Sequence, residues 1–183
     1  QLNLTRFELF FPEKRSFFLQ DAGIFRFADL GQELIPFFSR RIGLDENGEE
    51  VPILYGGKIT GRHEGWNVGT LYVRTDAQPS GVPERDLAVA RISHNLGEAS
   101  TLGGIFTSGN PTSTESNQLY GLDWNFRTSA FQGDKNLTAS LWVLKTQDDV
   151  NAGDDLAYGA SIGAPNDLWH WKLAAREVQS NFD

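Results

Sequence analysis

The sequence predicts an all-β fold, an antiparallel up-and-down meander that forms part of a transmembrane β-barrel. From Val51 onward, apolar and polar residues alternate along the chain, which is the period of a β-strand. The alternating segments run for roughly ten residues, the length that a tilted strand needs to cross a bilayer. Their connections alternate between short and long, as in barrels with tight periplasmic turns and longer extracellular loops.

The clearest hairpin covers residues 118–146. Its first strand sets an apolar face of Tyr120, Leu122, Trp124 and Phe126 against a polar face of Gly121, Asp123, Asn125 and Arg127. After the turn the alternation resumes, with Leu137, Ala139, Leu141 and Val143 opposite Thr138, Ser140 and Thr146. In a barrel the first face would meet lipid and the second would line the lumen. A charge at Leu122 or Trp124 should then be costly, and Asn125→Ser should be nearly silent for folding.

About eight strands are predicted over residues 51–183. Short periplasmic turns are expected at residues 63–65, 95–97, 132–135 and 165–167, with longer connections at 76–84, 108–117 and 147–154. Residues 1–50 form an irregular N-terminal segment of the same barrel domain. A short helix is expected near residues 13–20, because Pro12 is tolerated in a first helical turn and Glu13 suits a helix N-terminus. An extended strand up to Phe11 would precede it.

The alternation also assigns individual side chains to the two faces of the wall. The polar candidates for the lumen are Lys58, Arg62, Asp123, Asn125, Arg127, His170, Lys172 and Arg176. The candidates for the lipid face and its aromatic girdles are Tyr55, Trp66, Tyr120, Leu122, Trp124, Phe126, Tyr158, Trp169 and Trp171. Two tryptophans, Trp124 and Trp142, lie nearer to mid-strand than a girdle requires.

A soluble β-sandwich or meander whose apolar face forms a core is the alternative fold, because a half-buried soluble sheet has the same alternation. Strands longer than the usual five or six residues favour the membrane, as does a polar face made mainly of small residues.

Composition excludes several classes of protein. The 183 residues carry a formal net charge of −8, which argues against a nucleic-acid partner. The chain has no cysteine, so disulfides and thiolate metal sites are excluded. No apolar run of about 18 residues is present, so no transmembrane helix is predicted. Methionine is absent, even at position 1, and we therefore expect a processed or truncated piece of a longer chain.

A charged knot in the N-terminal segment comprises Glu13, Lys14, Arg15, Arg40 and Arg41. Its arginines could line the lumen and bind an anionic or sugar ligand, because a guanidinium fork suits carboxylates and phosphates. The alternative is that they pair with lumen carboxylates such as Asp123 and hold the segment against the wall. The second interpretation is favoured, because a charge buried in a barrel must find a partner.

No catalytic residues, metal site or cofactor are assigned, and whether the intact protein is an enzyme stays open. Glycoside hydrolysis needs two carboxyl groups at a defined separation. The acids instead cluster in loops, at Asp45, Glu46, Glu49, Glu50, Asp148, Asp149, Asp154 and Asp155. The three histidines, His63, His94 and His170, show no metal-ligand spacing.

Several motifs resemble one known family. They are NLTRFELFFPEKRSFFLQ, PFFSRRIG, VPILYGGKITGR, LYGLDWNFR and DLAYGAS. Together they resemble an uncharacterised bacterial outer-membrane barrel domain that typically follows a carbohydrate-binding family 9-like β-sandwich. The chain departs from the family pattern at Ser16, where a proline is usual, and near Gly57, where an alanine is usual.

The resemblance implies the outer membrane of a Gram-negative bacterium and a barrel of more strands than this chain provides. The chain is expected to be a fragment of an outer-membrane barrel protein of unknown activity. Its expected role is that of a conduit or surface anchor associated with carbohydrate binding or handling. Its partners would be outer-membrane lipid and a glycan bound through an N-terminal domain that precedes this chain. The alternatives are a soluble β-sandwich ligand-binding module and a glycoside hydrolase-associated domain.

Overall fold

A computed structural model describes residues 13–28, 30, 34–45, 47–78, 81–110, 117–148, 155–167 and 169–182. Its main feature is one antiparallel sheet of eight strands in sequence order, each paired with the next. The strands are β1 (Ile53–His63), β2 (Trp66–Thr75), β3 (Arg85–Leu96), β4 (Ser100–Ser108), β5 (Asn117–Phe131), β6 (Lys135–Asp148), β7 (Leu156–Pro165) and β8 (His170–Val178). The predicted all-β meander is confirmed. Within the described residues no pairing joins β1 to β8, so the sheet is open.

The connections alternate between short and long, as the sequence predicts. Between β1 and β2 only Glu64 and Gly65 intervene, and both have positive φ angles, 47° and 83°. Two positive φ angles are what a two-residue type I′ hairpin requires. The turn predicted at 95–97 is displaced, because β3 continues to Leu96 and the chain turns over residues 97–99. The last strand begins at His170, so Trp169 belongs to the preceding turn.

The described part of the N-terminal segment is irregular with short helical turns. It contains a four-residue helix α1 (Ser16–Leu19) and two 3₁₀ turns at Ala22–Phe25 and Ser39–Arg41. The helix expected near 13–20 therefore begins after Arg15, where the Glu13 carboxylate accepts hydrogen bonds from the amides of Lys14 and Arg15. The strand expected up to Phe11 lies outside the described residues. No helix in the described ranges is long and apolar enough to cross a membrane.

The N-terminal segment packs against one face of the sheet, which we call the inner face. Its buried side chains are Phe18, Ile24, Phe25, Phe27 and Ile42. All of these except Ile24 form one hydrophobic cluster with sheet residues Leu71, Val73, Leu87, Val89, Ile105, Leu119, Leu144 and Ala157. These sheet residues lie toward the long-loop ends of β2 to β7, so the segment covers that half of the inner face.

Two glycines of the inner face let the segment approach the sheet closely. A Cβ atom at Gly69 would lie 2.8 Å from Ile24 Cγ2 and 2.9 Å from Phe25 Cζ. At Gly121 it would lie 2.9 Å from Phe27 Cε2 and 2.5 Å from Leu144 Cδ2. Carbon atoms in contact are optimally about 3.5–4.0 Å apart, so any larger side chain would push the segment away.

The opposite side of the sheet, the outer face, is largely apolar, and no other part of the described chain covers it. Of the 24 large hydrophobic side chains that are exposed in the described chain, 17 lie on this face by strand register. Leu122 is 62 % exposed and Ile59 is 75 % exposed. Soluble monomers rarely leave so continuous an apolar surface in water.

Candidate binding site on the inner face

A buried ion pair lies at the centre of the inner face. Arg91 on β3 and Asp123 on β5 approach to 2.6 Å between Nη1 and Oδ1, and their side chains are 3 % and 1 % exposed. The two atoms make no aligned hydrogen bond, so the contact is chiefly electrostatic. Gly103 on the intervening β4 leaves room for it, because a Cβ there would lie 2.8 Å from Arg91 Nη1.

Both members of this pair also bind the N-terminal segment. Arg91 Nε donates to the carbonyl oxygen of Arg26 at 3.1 Å, and its guanidinium lies 5.3 Å from the Phe27 ring centroid. The amide of Ala28 donates to Asp123 Oδ2 at 2.9 Å. One ion pair therefore supports two strands and satisfies two backbone groups of the segment, which is what a buried charge pair needs to be tolerated.

A row of amide and hydroxyl side chains crosses the inner face beside the ion pair, toward the short turns. Strand register aligns Asn95, Thr101, Asn125, Ser140 and Ser161 on β3 to β7. Asn125 Nδ2 donates to Asp123 Oδ2 at 2.9 Å, and Ser140 Oγ donates to Asn125 Oδ1 at 2.9 Å. We call these five residues the polar row.

A cavity of about 830 Å³ lies between the N-terminal segment and this polar half of the inner face. The segment supplies one wall through Ile24, Phe25 and Arg26. The sheet supplies polar side chains from β1 to β5, namely Arg62, Asn67, Arg91, Ser93, Thr101, Asp123, Asn125 and Arg127. The size and mixed lining suit a small organic ligand.

The cationic character of the inner face is the main electrostatic feature of the site. By register the strands carry seven cations on this face: Lys58, Arg62, Arg85, Arg91, Arg127, Lys172 and Arg176. They carry two carboxylates there, Asp123 and Asp148. This excess is opposite in sign to the net charge of −8 of the chain.

Two of the predicted lumen residues hold the N-terminal segment. Lys58 Nζ donates to the carbonyl oxygens of Phe17 and Gln20 at the end of α1. Arg62 pairs with Asp21 at 3.0 Å, and Thr60 Oγ1 donates to the same carboxylate. Both hydrogen bonds lower the pKa of Asp21, and the bond from Thr60 has the larger effect.

Within the charged knot, Arg15 pairs with Glu13. Arg15 Nε and Nη2 donate to the two carboxylate oxygens at 2.9 and 2.8 Å, and Nη1 and Nη2 also reach the carbonyls of Ile42 and Ser39. The bonds from Arg15 lower the pKa of Glu13 from 4.5 to about 2. Asp123, the suggested partner of the knot, pairs instead with Arg91.

The remaining predicted lumen residues all share the inner face. Asp123, Asn125 and Arg127 follow one another on β5, and Arg127 lines the cavity. His170, Lys172 and Arg176 lie on β8 in register with inner-face positions of β7. The cavity lining brings Arg62, Asp123, Asn125 and Arg127 together, whereas the β8 group lies at the open edge of the sheet.

The predicted lipid-facing residues lie mostly on the outer face, where several form aromatic pairs. Tyr55 contacts Tyr72, Trp66 contacts His94, and Trp124 stacks on Phe126, with ring centroids 6.2, 4.5 and 5.9 Å apart. Tyr120, Leu122, Tyr158 and Trp171 share this face, and Trp169 is 75 % exposed in its turn. Trp66, His94, Leu102 and Trp124 are cross-strand neighbours in one row across β2 to β5.

Sequence reasoning missed two residues of the inner face. Trp142 packs against the hydrophobic cluster there. Its position between Leu141 and Val143, which both lie on the outer face, identifies it in the sequence, because neighbouring residues of a strand point to opposite faces. Arg91 lies two residues after Val89 on β3, so the alternation places both on the inner face. Its partner Asp123 is distant in sequence, so the alternation does not reveal the ion pair.

The described acids and histidines do not assemble into a catalytic or metal site. Asp45 Oδ1 accepts the amides of Asn47 and Glu49 in its own loop, and Asp155 pairs with Lys145 at 3.5 Å. Glu46, Asp149 and Asp154 lie outside the described residues. Within the described ranges, no group of three His, Cys, Asp or Glu side chains could hold a metal ion. Comparison with protein-family models, curated proteins and solved structures finds no match to this chain.

Proposed function

We propose that this chain is part of the wall of an outer-membrane β-barrel, with its outer face against lipid and its inner face toward the lumen. The observation that carries the proposal is the contrast between the faces. The outer face exposes 17 large hydrophobic side chains in the described chain, whereas the inner face holds a buried ion pair and a packed segment. In a bilayer the apolar face becomes the buried one.

The strand geometry supports the same proposal. Eight antiparallel strands in sequence order, 9 to 15 residues long, match the length and connectivity of barrel strands. An open edge at β1 and another at β8 would be unsatisfied in lipid, where every backbone group needs a partner. We therefore propose that further strands complete the barrel, as the resemblance to the outer-membrane barrel domain also implies.

The proposed role is a conduit or surface anchor associated with glycan handling. The N-terminal segment occupies one half of the inner face and leaves the polar half lined by arginines, amides and hydroxyls. A surface of this kind suits the passage or retention of a polar solute. The association with glycans rests on the family resemblance, in which a carbohydrate-binding domain precedes the barrel.

The soluble alternatives have less support. A β-sandwich needs two facing sheets, and the strands of the described chain form a single sheet. A glycoside hydrolase needs two carboxyl groups in one cleft. Asp123 is the one carboxylate on the cavity wall among the described residues, and it is already paired with Arg91.

Quenching by brominated lipid tests the membrane proposal directly. The full chain would be refolded into vesicles in two single-tryptophan forms that retain Trp124 or Trp142, with the other tryptophans replaced by phenylalanine. Trp124 lies on the outer face and Trp142 on the inner face of neighbouring strands, so they are matched in depth and differ in side. We expect strong quenching of Trp124 and weak quenching of Trp142.

Two results would contradict the proposal. One is equal quenching, or no quenching, of both tryptophans in vesicles. The other is a folded monomer in plain buffer whose migration on unboiled gels does not change on heating, since barrels of this class are expected to be heat-modifiable and to need detergent or lipid for their apolar face.

A further inference from the structure

We propose that the cavity beside the N-terminal segment binds an anionic oligosaccharide, a chain of sugars that carries carboxylate groups. The cavity lies at the polar half of the inner face and holds about 830 Å³. The inference rests on the proposed function, because it treats the inner face as the side that meets solutes. It adds the chemical class of the solute and the residues that select it.

The charge of the ligand follows from the ion pairs around the cavity. Four arginines line it, Arg26, Arg62, Arg91 and Arg127, against one carboxylate, Asp123. Arg91 is neutralised by Asp123, and Arg62 by Asp21. None of the described carboxylates pairs with Arg26 or Arg127. Two guanidinium groups are therefore available to an anionic ligand, and their planar forks match carboxylates.

The polyhydroxyl character of the ligand follows from the polar row. Two members of the row, Thr101 and Asn125, line the cavity. The row continues beyond the cavity and crosses five neighbouring strands in all, about 19 Å at the usual strand spacing. A ligand that extends from the cavity along the row is longer than a single small ion. Amides and hydroxyls each donate and accept hydrogen bonds, as sugar hydroxyls do.

The internal bonds of the row leave capacity for a ligand. Asn125 uses its amide group for Asp123, Thr101 and Ser140, while Asn67 donates to Asn95 at 3.1 Å. Each hydroxyl or carbonyl oxygen in these contacts has a second lone pair. Because the side chains are held by one another, they are fixed in place before a ligand arrives, which lowers the entropy lost on binding.

Isothermal titration calorimetry of the full chain in detergent micelles tests the inference. The probes are tetragalacturonate, the neutral maltotetraose and inorganic phosphate. We expect tetragalacturonate to bind at least about tenfold more tightly than either of the others, because only it combines carboxylates with an extended set of hydroxyls.

Charge-removing variants identify the residues. Arg26→Gln and Arg127→Gln should each weaken tetragalacturonate binding about tenfold, the loss expected for one charged hydrogen bond. Arg26→Gln keeps the backbone carbonyl that Arg91 binds. Lys135→Gln is the control, because it removes the same charge at the β5–β6 turn, outside the cavity. It should leave the affinity unchanged.

Three outcomes would overturn the inference. If maltotetraose bound as tightly as tetragalacturonate, the site would not select for charge. If phosphate bound as tightly, the site would not select for a saccharide. An equal loss in the Lys135→Gln control would show a general electrostatic attraction rather than a site. The titration needs only the folded chain, so a failure to bind is distinct from a failure to insert into vesicles.

Discussion

Arg91 and Asp123 join the sheet to the N-terminal segment at one point of the inner face. Their side chains approach to 2.6 Å, while Arg91 Nε binds the carbonyl of Arg26 and Asp123 accepts the amide of Ala28. The two residues are on β3 and β5, which are separated by β4, and β4 passes beneath the pair at Gly103. Loss of either charge therefore affects the sheet and the segment together.

Asp123→Ala should be strongly destabilising. It leaves the Arg91 charge buried without its partner, and breaking a buried pair in this way costs about 3–5 kcal/mol. The free energy of unfolding would be measured by urea titration in micelles, followed by tryptophan fluorescence. The double variant Arg91→Met/Asp123→Leu removes both charges and should recover part of the loss, because the Arg26 carbonyl and the Ala28 amide still lose their partners. A double variant as unstable as Asp123→Ala would contradict the assignment of the cost to an uncompensated charge.

Gly69→Ala should loosen the N-terminal segment. The added Cβ would lie 2.8 Å from Ile24 Cγ2 and 2.9 Å from Phe25 Cζ, so the segment must shift. Overpacking of this kind costs about 1–3 kcal/mol. Hydrogen exchange of residues 22–27 should become faster while the strand amides stay protected.

Gly57→Ala is the matched control for this variant. Gly57 lies on the outer face of the adjacent strand, and a Cβ there would meet no atom within 4 Å. It should leave the exchange of residues 22–27 unchanged. The same acceleration in both variants would mean that the effect comes from the strand backbone rather than from contact with the segment.

The faces of the strands could be predicted from the sequence because side-chain alternation is a local property of an extended chain. Leu122 and Asp123 lie on opposite faces of the sheet for this reason, and the same alternation places Trp142 on the inner face. The partners of Asp123 could not be predicted, since Arg91 and Ala28 are brought to it by strand order and by the path of the segment. Pairing across such distances depends on the assembled sheet.

The expected tolerance of Asn125→Ser is revised by the structure. Its amide group bonds to Asp123, Thr101 and Ser140, all on the inner face. Serine is too short to maintain these three contacts together. We now expect a loss of about 1–3 kcal/mol in the urea titration, the cost of unsatisfied buried polar groups. Thr128→Ser, farther along β5, has none of these partners and should be nearly neutral.

The attachment of α1 should weaken in acid through Glu13. The hydrogen bonds from Arg15 lower the pKa of Glu13 from 4.5 to about 2 in the folded chain. A lowered folded pKa stabilises the fold above the unfolded pKa, so this contribution is complete above about pH 4.5 and is lost as the pH falls toward 2. Hydrogen exchange of residues 16–19 should accelerate over that window. Glu13→Gln should show fast exchange at neutral pH with a flatter acid response. An unchanged acid response in Glu13→Gln would assign the effect to another group, such as Asp21.

The variant Leu122→Arg tests whether the outer face meets lipid or water. Leu122 is 62 % exposed on the outer face and lies near the middle of β5, so in water an arginine there would cost little. At the midplane of a bilayer it should cost about 2–4 kcal/mol. The measurement is the free energy of unfolding from vesicles, with Thr128→Arg as the control, because Thr128 shares the outer face by register and lies nearer the end of the same strand. We expect a loss for Leu122→Arg that is several times the loss for Thr128→Arg, because the cost of a charge falls to about 0–1 kcal/mol near the interface. Equal and small losses at the two positions would mean that the outer face of β5 does not meet lipid.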